Sequence, residues 1–169
     1  MKNKIHLIIL LFISSIISVK ASVATNSNIP DNEDEFEVLM QKIRLDFAKN
    51  PSIDEALKKY NETDGSFTDV DYSSIQRTKW PPLEHVDRLY DFAFAYTNSK
   101  NKYYKDESLF TKIEKGLEYW HERNPWCHNW WYNQIAEPQR LGVLLIQLRI
   151  GEKHLNTELE NKILERIKT

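Results

Sequence analysis

The chain has 169 residues, enough for one ordinary domain, and its 41% hydrophobic and 28% charged residues exclude a disordered polypeptide. Its 4 glycines and 6 prolines are too few for the many tight turns of an all-β protein. The net charge of −2 gives no indication of a nucleic-acid binder.

The first 21 residues have the pattern of a secretory signal peptide. Lys2 and Lys4 precede an apolar run over 5–19, and Val19 and Ala21 place aliphatic or small side chains at the two positions that a signal peptidase reads. A transmembrane anchor is the alternative, but the run is shorter than the roughly 20 residues that span a bilayer. We therefore predict a secreted or periplasmic protein with no membrane attachment after cleavage.

Polar residues 22–33 predict a flexible leader, and apolar residues then recur at helical spacing over most of 34–169. No segment alternates like a half-buried strand. The apolar faces of the predicted helices lie within Phe36–Phe47, Ile53–Tyr60, Leu83–Phe94, Leu109–Trp120, Leu141–Leu148 and Leu159–Ile167. Successive helical hairpins of this kind favour an all-α fold, an incomplete α/α toroid, over a four-helix bundle.

Capping boxes and one long loop separate these helices. Ser52-x-x-Glu55 and Thr157-x-x-Glu160 predict helix starts. Residues 64–82 form a loop without regular structure, which is a feature that compact domains often use for function. Its acidic residues are interpreted as turn caps rather than as the carboxylate pair of a glycosidase: Asp64, Asp69 and Asp71.

Residues 124–138 concentrate large aromatic side chains among amides and a histidine. The aromatics are Trp126, Trp130, Trp131 and Tyr132. A small core would not combine four large rings with several amides, since buried amides need hydrogen-bond partners. Sugar rings, in contrast, stack on tryptophan while amides bond their hydroxyls. The segment favours a saccharide platform, and a tryptophan-rich plug between two hairpins is the alternative.

The run from Asn129 to Arg149, NWWYNQIAEPQRLGVLLIQLR, resembles the helical domain of polysaccharide lyase family 8. That family includes chondroitin AC, hyaluronate and xanthan lyases, and the resemblance is strongest to the secreted chondroitin AC lyases. It extends to the turn DGSFTDV at 64–70. Phe67 stands where the family usually has tryptophan, and Gln134 and Ala136 stand where many members have glutamate and glycine.

The resemblance implies that 34–169 is the N-terminal part of an α/α-toroid lyase domain whose cleft binds an acidic glycosaminoglycan, chondroitin sulfate or hyaluronan. By this resemblance, Asn129, Trp130 and Trp131 correspond to substrate-binding residues of the family, and Asn133 is a weaker candidate. The family's catalytic Asn, His, Tyr and Arg, which perform β-elimination, come later in sequence order. We therefore expect no catalytic residue, metal ion or cofactor in this chain, and no cleavage by the chain alone.

The sequence contains other combinations of reactive residues. His128 and Tyr132 have the right chemistry for a base and an acid if one helical face joins them. A metal site of His121, Cys127 and His128 matches no zinc spacing. His85 and His154 are expected on helix surfaces. As the single cysteine, Cys127 excludes an internal disulfide.

Two hypotheses compete with the lyase fragment. One is a stand-alone carbohydrate-binding protein without catalysis, and the other is an α/α-toroid glycosidase. The fragment hypothesis adds a physical expectation, because each toroid hairpin covers the next. The C-terminal hairpin, Leu141–Ile150 with Leu159–Ile167, is expected to leave an exposed apolar patch that favours self-association.

Overall fold

A computed structural model of the chain describes residues 35–151 and 153–168, the side chain of Ile150 excepted. The described residues form α1 (Glu35–Asp46), α2 (Asp54–Lys59), α3 (Leu83–Thr97), α4 (Glu107–Arg123), a π-helical turn (Tyr132–Ala136), α5 (Glu137–Ile150) and α6 (Thr157–Ile167). They contain a single β-bridge, between Tyr60 and Phe67. The prediction of an all-α protein is confirmed.

The predicted signal peptide (1–21) and leader (22–33) lie outside the described residues. In the part of the chain that the structure describes, no helix is both long enough and apolar enough to cross a membrane. The chain divides into two compact units, 1–46 and 47–169. Helix α1 belongs to the first unit, where Lys42 and Asp46 form an exposed ion pair one helical turn apart. The site described below belongs to the second unit.

Helix α3 occupies the centre of the second unit, where it packs against α4 on one side and α5 on the other. Its residues Val86, Leu89, Phe92, Phe94 and Ala95 are buried and point in different directions around the helix, so other parts of the protein surround most of its circumference. Gly116 of α4 permits a close approach to α3, because a Cβ at this position would lie 2.6 Å from a methyl carbon of Leu89.

The prediction of an exposed apolar patch on the C-terminal hairpin is wrong. Helix α5 is covered by α3 and by α6, and α6 also contacts α4. The side chains that these contacts bury include Leu141, Leu144, Leu159, Ile163 and Leu164. The four helices therefore bury the apolar faces of this hairpin without a further partner, which removes the reason for expecting self-association through it.

The expected surface position of His85 is also wrong. His85 lies on the first turn of α3 and is fully buried, with its ring stacked on Trp120 at a centroid distance of 5.3 Å. Its Nε2 donates to the carbonyl of Gly116 over 2.9 Å. Its Nδ1 lies 2.8 Å from the hydroxyl of Tyr72, which also accepts a hydrogen bond from the backbone N–H of Phe67. His154 is exposed, as expected, but in the connection between α5 and α6.

The hydrogen bonds of His85 define its protonation state. Because the Gly116 carbonyl can only accept, Nε2 carries the proton of the neutral ring, and Nδ1 accepts the proton that the Tyr72 hydroxyl donates. Burial lowers the pKa of His85 from 6.5 to about 4. The neutral ring thus links α3 to α4 and to the long loop.

The predicted helix starts are displaced or lack a cap. Asn156 caps α6 by accepting from the backbone N–H of Leu159 at 2.8 Å, one residue before the predicted Thr157. Helix α2 begins after Ile53 without a side-chain cap, so the predicted box at Ser52 does not form. Capping alternatives one residue apart are close in energy, and tertiary contacts choose between them.

The turn caps predicted in the long loop form at two of three positions. Asp64 accepts from the backbone N–H of Ser66 at 2.9 Å, and Asp71 accepts from that of Ser73 at 3.0 Å. Asp69 instead forms a two-pronged ion pair with Arg88 of α3, with N–O distances of 2.6 and 3.0 Å. The loop is therefore closed locally by two turns and fixed to α3.

We predict that His85 makes the protein less stable in mild acid. Since the folded-state pKa lies below the unfolded value, the unfolded chain binds more protons between about pH 7 and 4, and the free energy of unfolding falls as pH falls. The loss between pH 7 and 5 is expected to be roughly 2 kcal/mol. Urea unfolding over this range measures it, and His85→Gln, which keeps a donor for Gly116 but does not titrate, should flatten the dependence. An equal pH dependence in both proteins contradicts the assignment.

Candidate functional site

The largest exposed aromatic side chains lie at the start of the helix that leads into α5. Trp130 is 61% exposed and Trp131 is 42% exposed, and we call these two residues the tryptophan pair. Trp126 and Ile135 are exposed in the same segment. Apolar side chains of this size that gather outside a core commonly mark a binding surface.

Asn129 fixes the start of this helix. Helical structure begins at Trp130, and the Asn129 side-chain oxygen accepts from the backbone N–H of Trp131 at 3.1 Å. Its amide nitrogen donates to the carbonyl of Arg77 at 3.0 Å, which joins the helix start to the long loop. A primary amide has two donors and two acceptor positions, so Asn129 keeps one of each for a ligand.

A π-helical turn separates the tryptophan pair from the buried stripe of α5. The backbone N–H of Glu137 donates to the carbonyl of Tyr132, which lies five residues back. Pro138 explains this widening, since in an α-helix its ring would collide with the carbonyl four residues earlier. The additional residue rotates the preceding segment by about 100° relative to α5. The tryptophan pair consequently faces away from the core that α5 covers.

A series of packed rings lies beneath Trp131. Trp131 meets Tyr132 edge-to-face at 5.2 Å, and Tyr132 meets Trp80 at 5.8 Å. Trp80 in turn meets Trp120, which stacks on His85. Edge-to-face contacts of this kind are worth about 0.5–1.5 kcal/mol each beyond their burial. A series of rings therefore runs from the exposed surface to the centre of the second unit.

The proposed pairing of His128 with Tyr132 does not form. A shared helical face requires helix from His128 onward, but helix begins two residues later. The hydroxyl of Tyr132 instead lies 3.4 Å from the backbone N–H of Trp80. His128 is exposed in the bend before the helix.

Asn133 lies below the surface on which the tryptophan pair sits. It is 7% exposed, its side-chain oxygen accepts from the backbone N–H of Cys127 at 3.0 Å, and its amide nitrogen donates to the Cys127 carbonyl at 2.6 Å. Both ends of the amide thus hold the loop before the helix. The buried amide of Asn133 thus holds the backbone that precedes the tryptophan pair.

Cys127 itself has a structural environment. Its side chain is buried, and Sγ lies 3.5 Å from the carbonyl of Gln76 and 3.4 Å from the backbone N–H of Asn129. Within 35–151 and 153–168, no three His, Cys, Asp or Glu side chains are grouped so that they could hold a metal ion.

A buried ion pair that the sequence did not suggest lies beneath this region. Glu137 is 2% exposed and accepts hydrogen bonds from Trp120 Nε1 at 2.9 Å and from Arg166 Nε at 2.5 Å. Arg166 also donates to the carbonyl of Pro125 at 2.5 Å and to the side chain of Asn124, the left-handed residue that ends α4. The one sequence signal was a glutamate beside a proline at the start of an apolar helix.

Comparison with known proteins places this architecture in a family. The model of the polysaccharide lyase family 8 N-terminal alpha-helical domain matches residues 24–169. The match begins inside the predicted leader and includes every residue of the site.

Two relatives share the match. The chain is 38% identical over 136 residues to chondroitinase-AC of Pedobacter heparinus. This aligned region covers 78% of the present chain and 19% of the relative. The chain is also similar to a solved structure of chondroitinase AC lyase, which was studied as enzyme–oligosaccharide complexes. The two structures match with a TM-score of 0.74 and 36% sequence identity. The match covers 78% of this chain and 20% of the solved chain. The chain spans about a fifth of the length of these relatives.

We predict that Asn133→Ala destabilises the protein by about 1–3 kcal/mol, because it leaves the buried N–H and carbonyl of Cys127 without partners. Gln134→Ala is the matched control, since it removes a neighbouring amide that is exposed. It should change the free energy of unfolding by less than about 0.5 kcal/mol. Urea unfolding of both variants measures the difference, and equal effects contradict a supporting role for Asn133.

Proposed function

The chain belongs to polysaccharide lyase family 8 as an N-terminal α-helical domain, and from this premise we propose that its tryptophan pair binds an acidic polysaccharide of the chondroitin type. The observation that carries the proposal is the position of Trp130 and Trp131. Two indoles are exposed at a capped helix start, and that of Trp131 packs against Tyr132.

The arrangement suits a sugar polymer better than a small apolar ligand. Pyranose rings have apolar faces that stack on indole and hydroxyls that need hydrogen-bond partners. The remaining donor and acceptor of Asn129 lie next to the indoles. An open surface with two neighbouring rings also suits an extended chain, which contacts several sugar units at once.

Some tryptophans are buried in the core and others are exposed. This division supports a binding surface over a tryptophan-rich plug that only fills space between the hairpins. Trp80 and Trp120 are buried, and their indole N–H groups donate to the Ser74 carbonyl and to Glu137. They fill the joint between the helices. Trp130 and Trp131 retain large exposed faces, so packing between hairpins does not account for them.

The polymer class follows from the relatives by analogy. Both matched proteins are named as chondroitinases, and chondroitin, like hyaluronan, carries a uronic-acid carboxylate in each repeat. We extend this class to the present chain, together with export to the periplasm or the medium, where such polymers occur. The N-terminal pattern of residues 1–21 supports export.

We further propose that the chain alone binds polymer without cleaving it. β-Elimination needs a neutralised carboxylate, a base that takes the adjacent proton, and an acid for the leaving oxygen. Both ring nitrogens of His85 are occupied inside the protein, and burial raises the pKa of the Tyr72 hydroxyl that faces it. His85 is buried and serves the fold, and the exposed His128 shares no helical face with Tyr132. We propose on this basis that cleavage depends on residues of a lyase outside the described site.

Replacing both tryptophans should weaken binding. Two lost stacking contacts amount to about 1–3 kcal/mol, so Trp130→Ala/Trp131→Ala is expected to lower the affinity for chondroitin sulfate by about 5-fold to 150-fold in isothermal titration calorimetry. Tyr104→Ala is the matched control, because Tyr104 is an exposed aromatic residue beyond the far end of α3. Unchanged affinity in the double variant contradicts the proposal.

Incubation of the purified full chain with chondroitin sulfate should release no unsaturated product. The double bond formed by β-elimination absorbs ultraviolet light, so the absorbance of the mixture follows the reaction directly. Release of product that grows with protein concentration and time contradicts the separation of binding from cleavage.

A further inference from the structure

We propose that residues 74–80, which we call the cationic loop, form an anion-binding arm beside the tryptophan pair, with Arg77 and Lys79 contacting the sulfate or carboxylate groups of the polymer. The proposal rests on the proposed function, since it takes the polymer to lie on the tryptophan pair. It adds a charge-reading element to a surface that otherwise offers stacking and neutral hydrogen bonds.

The cationic loop is fixed against the site by its backbone. The carbonyl of Arg77 accepts from the side chain of Asn129 at 3.0 Å, and the carbonyl of Gln76 lies 3.5 Å from Sγ of Cys127. The indole N–H of Trp80 donates to the carbonyl of Ser74 at 3.2 Å and closes the loop on itself. The residue that holds Arg77 is therefore the residue that precedes the tryptophan pair.

The middle of the cationic loop is exposed to solvent. Residues 75–79 are all exposed, including Ile75, whose side chain is 73% exposed. Lys79 adopts a left-handed backbone conformation with φ of 50°, which is uncommon for a residue other than glycine, asparagine or aspartate. Backbone outliers of this kind cost free energy and concentrate at functional sites.

The charge of the loop is not neutralised by its surroundings. The side chains of Arg77 and Lys79 make no ion pair or hydrogen bond with any residue that the structure describes, whereas Arg88, Arg140 and Arg166 all pair with carboxylates. Neither 72–82 nor 124–136 contains Asp or Glu. On a chain with net charge −2, these two segments thus carry the cations Arg77 and Lys79 and no carboxylate side chain.

The two cations suit anionic groups on a polymer. A guanidinium can bond two oxygens of a sulfate or carboxylate at once, and a lysine ammonium adds a mobile point charge. Each exposed contact is weak and screened by salt, but a polymer held by stacking brings its anions to the loop repeatedly. Positive charge near the tryptophan pair then favours acidic over neutral polysaccharides. Without it, the overall negative charge of the protein would repel an acidic polymer.

The test is calorimetric titration of the full 169-residue chain with chondroitin sulfate, hyaluronan and the neutral polymer dextran at low and high NaCl. Arg77→Gln/Lys79→Gln is expected to weaken chondroitin sulfate binding by roughly tenfold at low salt and to flatten its salt dependence. Lys100→Gln/Lys102→Gln makes the same change in net charge after the far end of α3, whose 15 residues span about 22 Å. This control should bind chondroitin sulfate as tightly as the unchanged protein does. Neither the unchanged protein nor a variant should bind dextran tightly.

The three polymers and the three variants distinguish the possible results. A loss confined to chondroitin sulfate assigns the loop to sulfate, and an equal loss with hyaluronan assigns it to the uronate carboxylate; both support the anion-binding arm. If Arg77→Gln/Lys79→Gln binds like its control while Trp130→Ala/Trp131→Ala loses binding, the arm is overturned and the proposed function stands. If the tryptophan variant retains full binding, or the unchanged chain binds none of the polymers, the proposed function fails and the arm fails with it.

Discussion

The buried carboxylate of Glu137 joins the segments on which the candidate site depends. It binds the indole of Trp120 on α4 and the guanidinium of Arg166 on α6, from the first residue of α5. A charge removed from water is costly without such partners, so the three helices keep this arrangement or lose stability together. Arg166 extends the network to the loop after α4 through Pro125. The site therefore begins on a rigid base.

Above this base, one helix start serves both stability and exposure. The π-helical turn before Pro138 changes the register of the helix, so Tyr132 packs inward on Trp80 while Trp130 faces solvent. Asn133 and Asn129 fix the backbone on either side of the tryptophan pair. A surface held this firmly loses little entropy when a ligand binds, which favours the weak, repeated contacts that a polymer makes.

Local sequence patterns predicted the helices and the aromatic segment because both depend on residues close together in the chain. The burial of His85 was missed because its partners, Tyr72 and Gly116, are distant in sequence. The apolar patch was predicted wrongly for the same reason, since only tertiary structure shows that α3 and α6 cover α5. Among the amides of the aromatic segment, composition could not separate Asn129 at the surface from the buried Asn133.

The most direct test of the account is the position of the sugar on the protein. The chain has 5 tryptophans, and their indole N–H signals can be assigned one by one in a nitrogen–proton correlation spectrum. During titration with a chondroitin sulfate oligosaccharide, the account predicts that the signals of Trp130 and Trp131 shift progressively, while those of Trp80 and Trp120, bonded inside the protein, stay in place. Binding that leaves the signals of the tryptophan pair unchanged would contradict it.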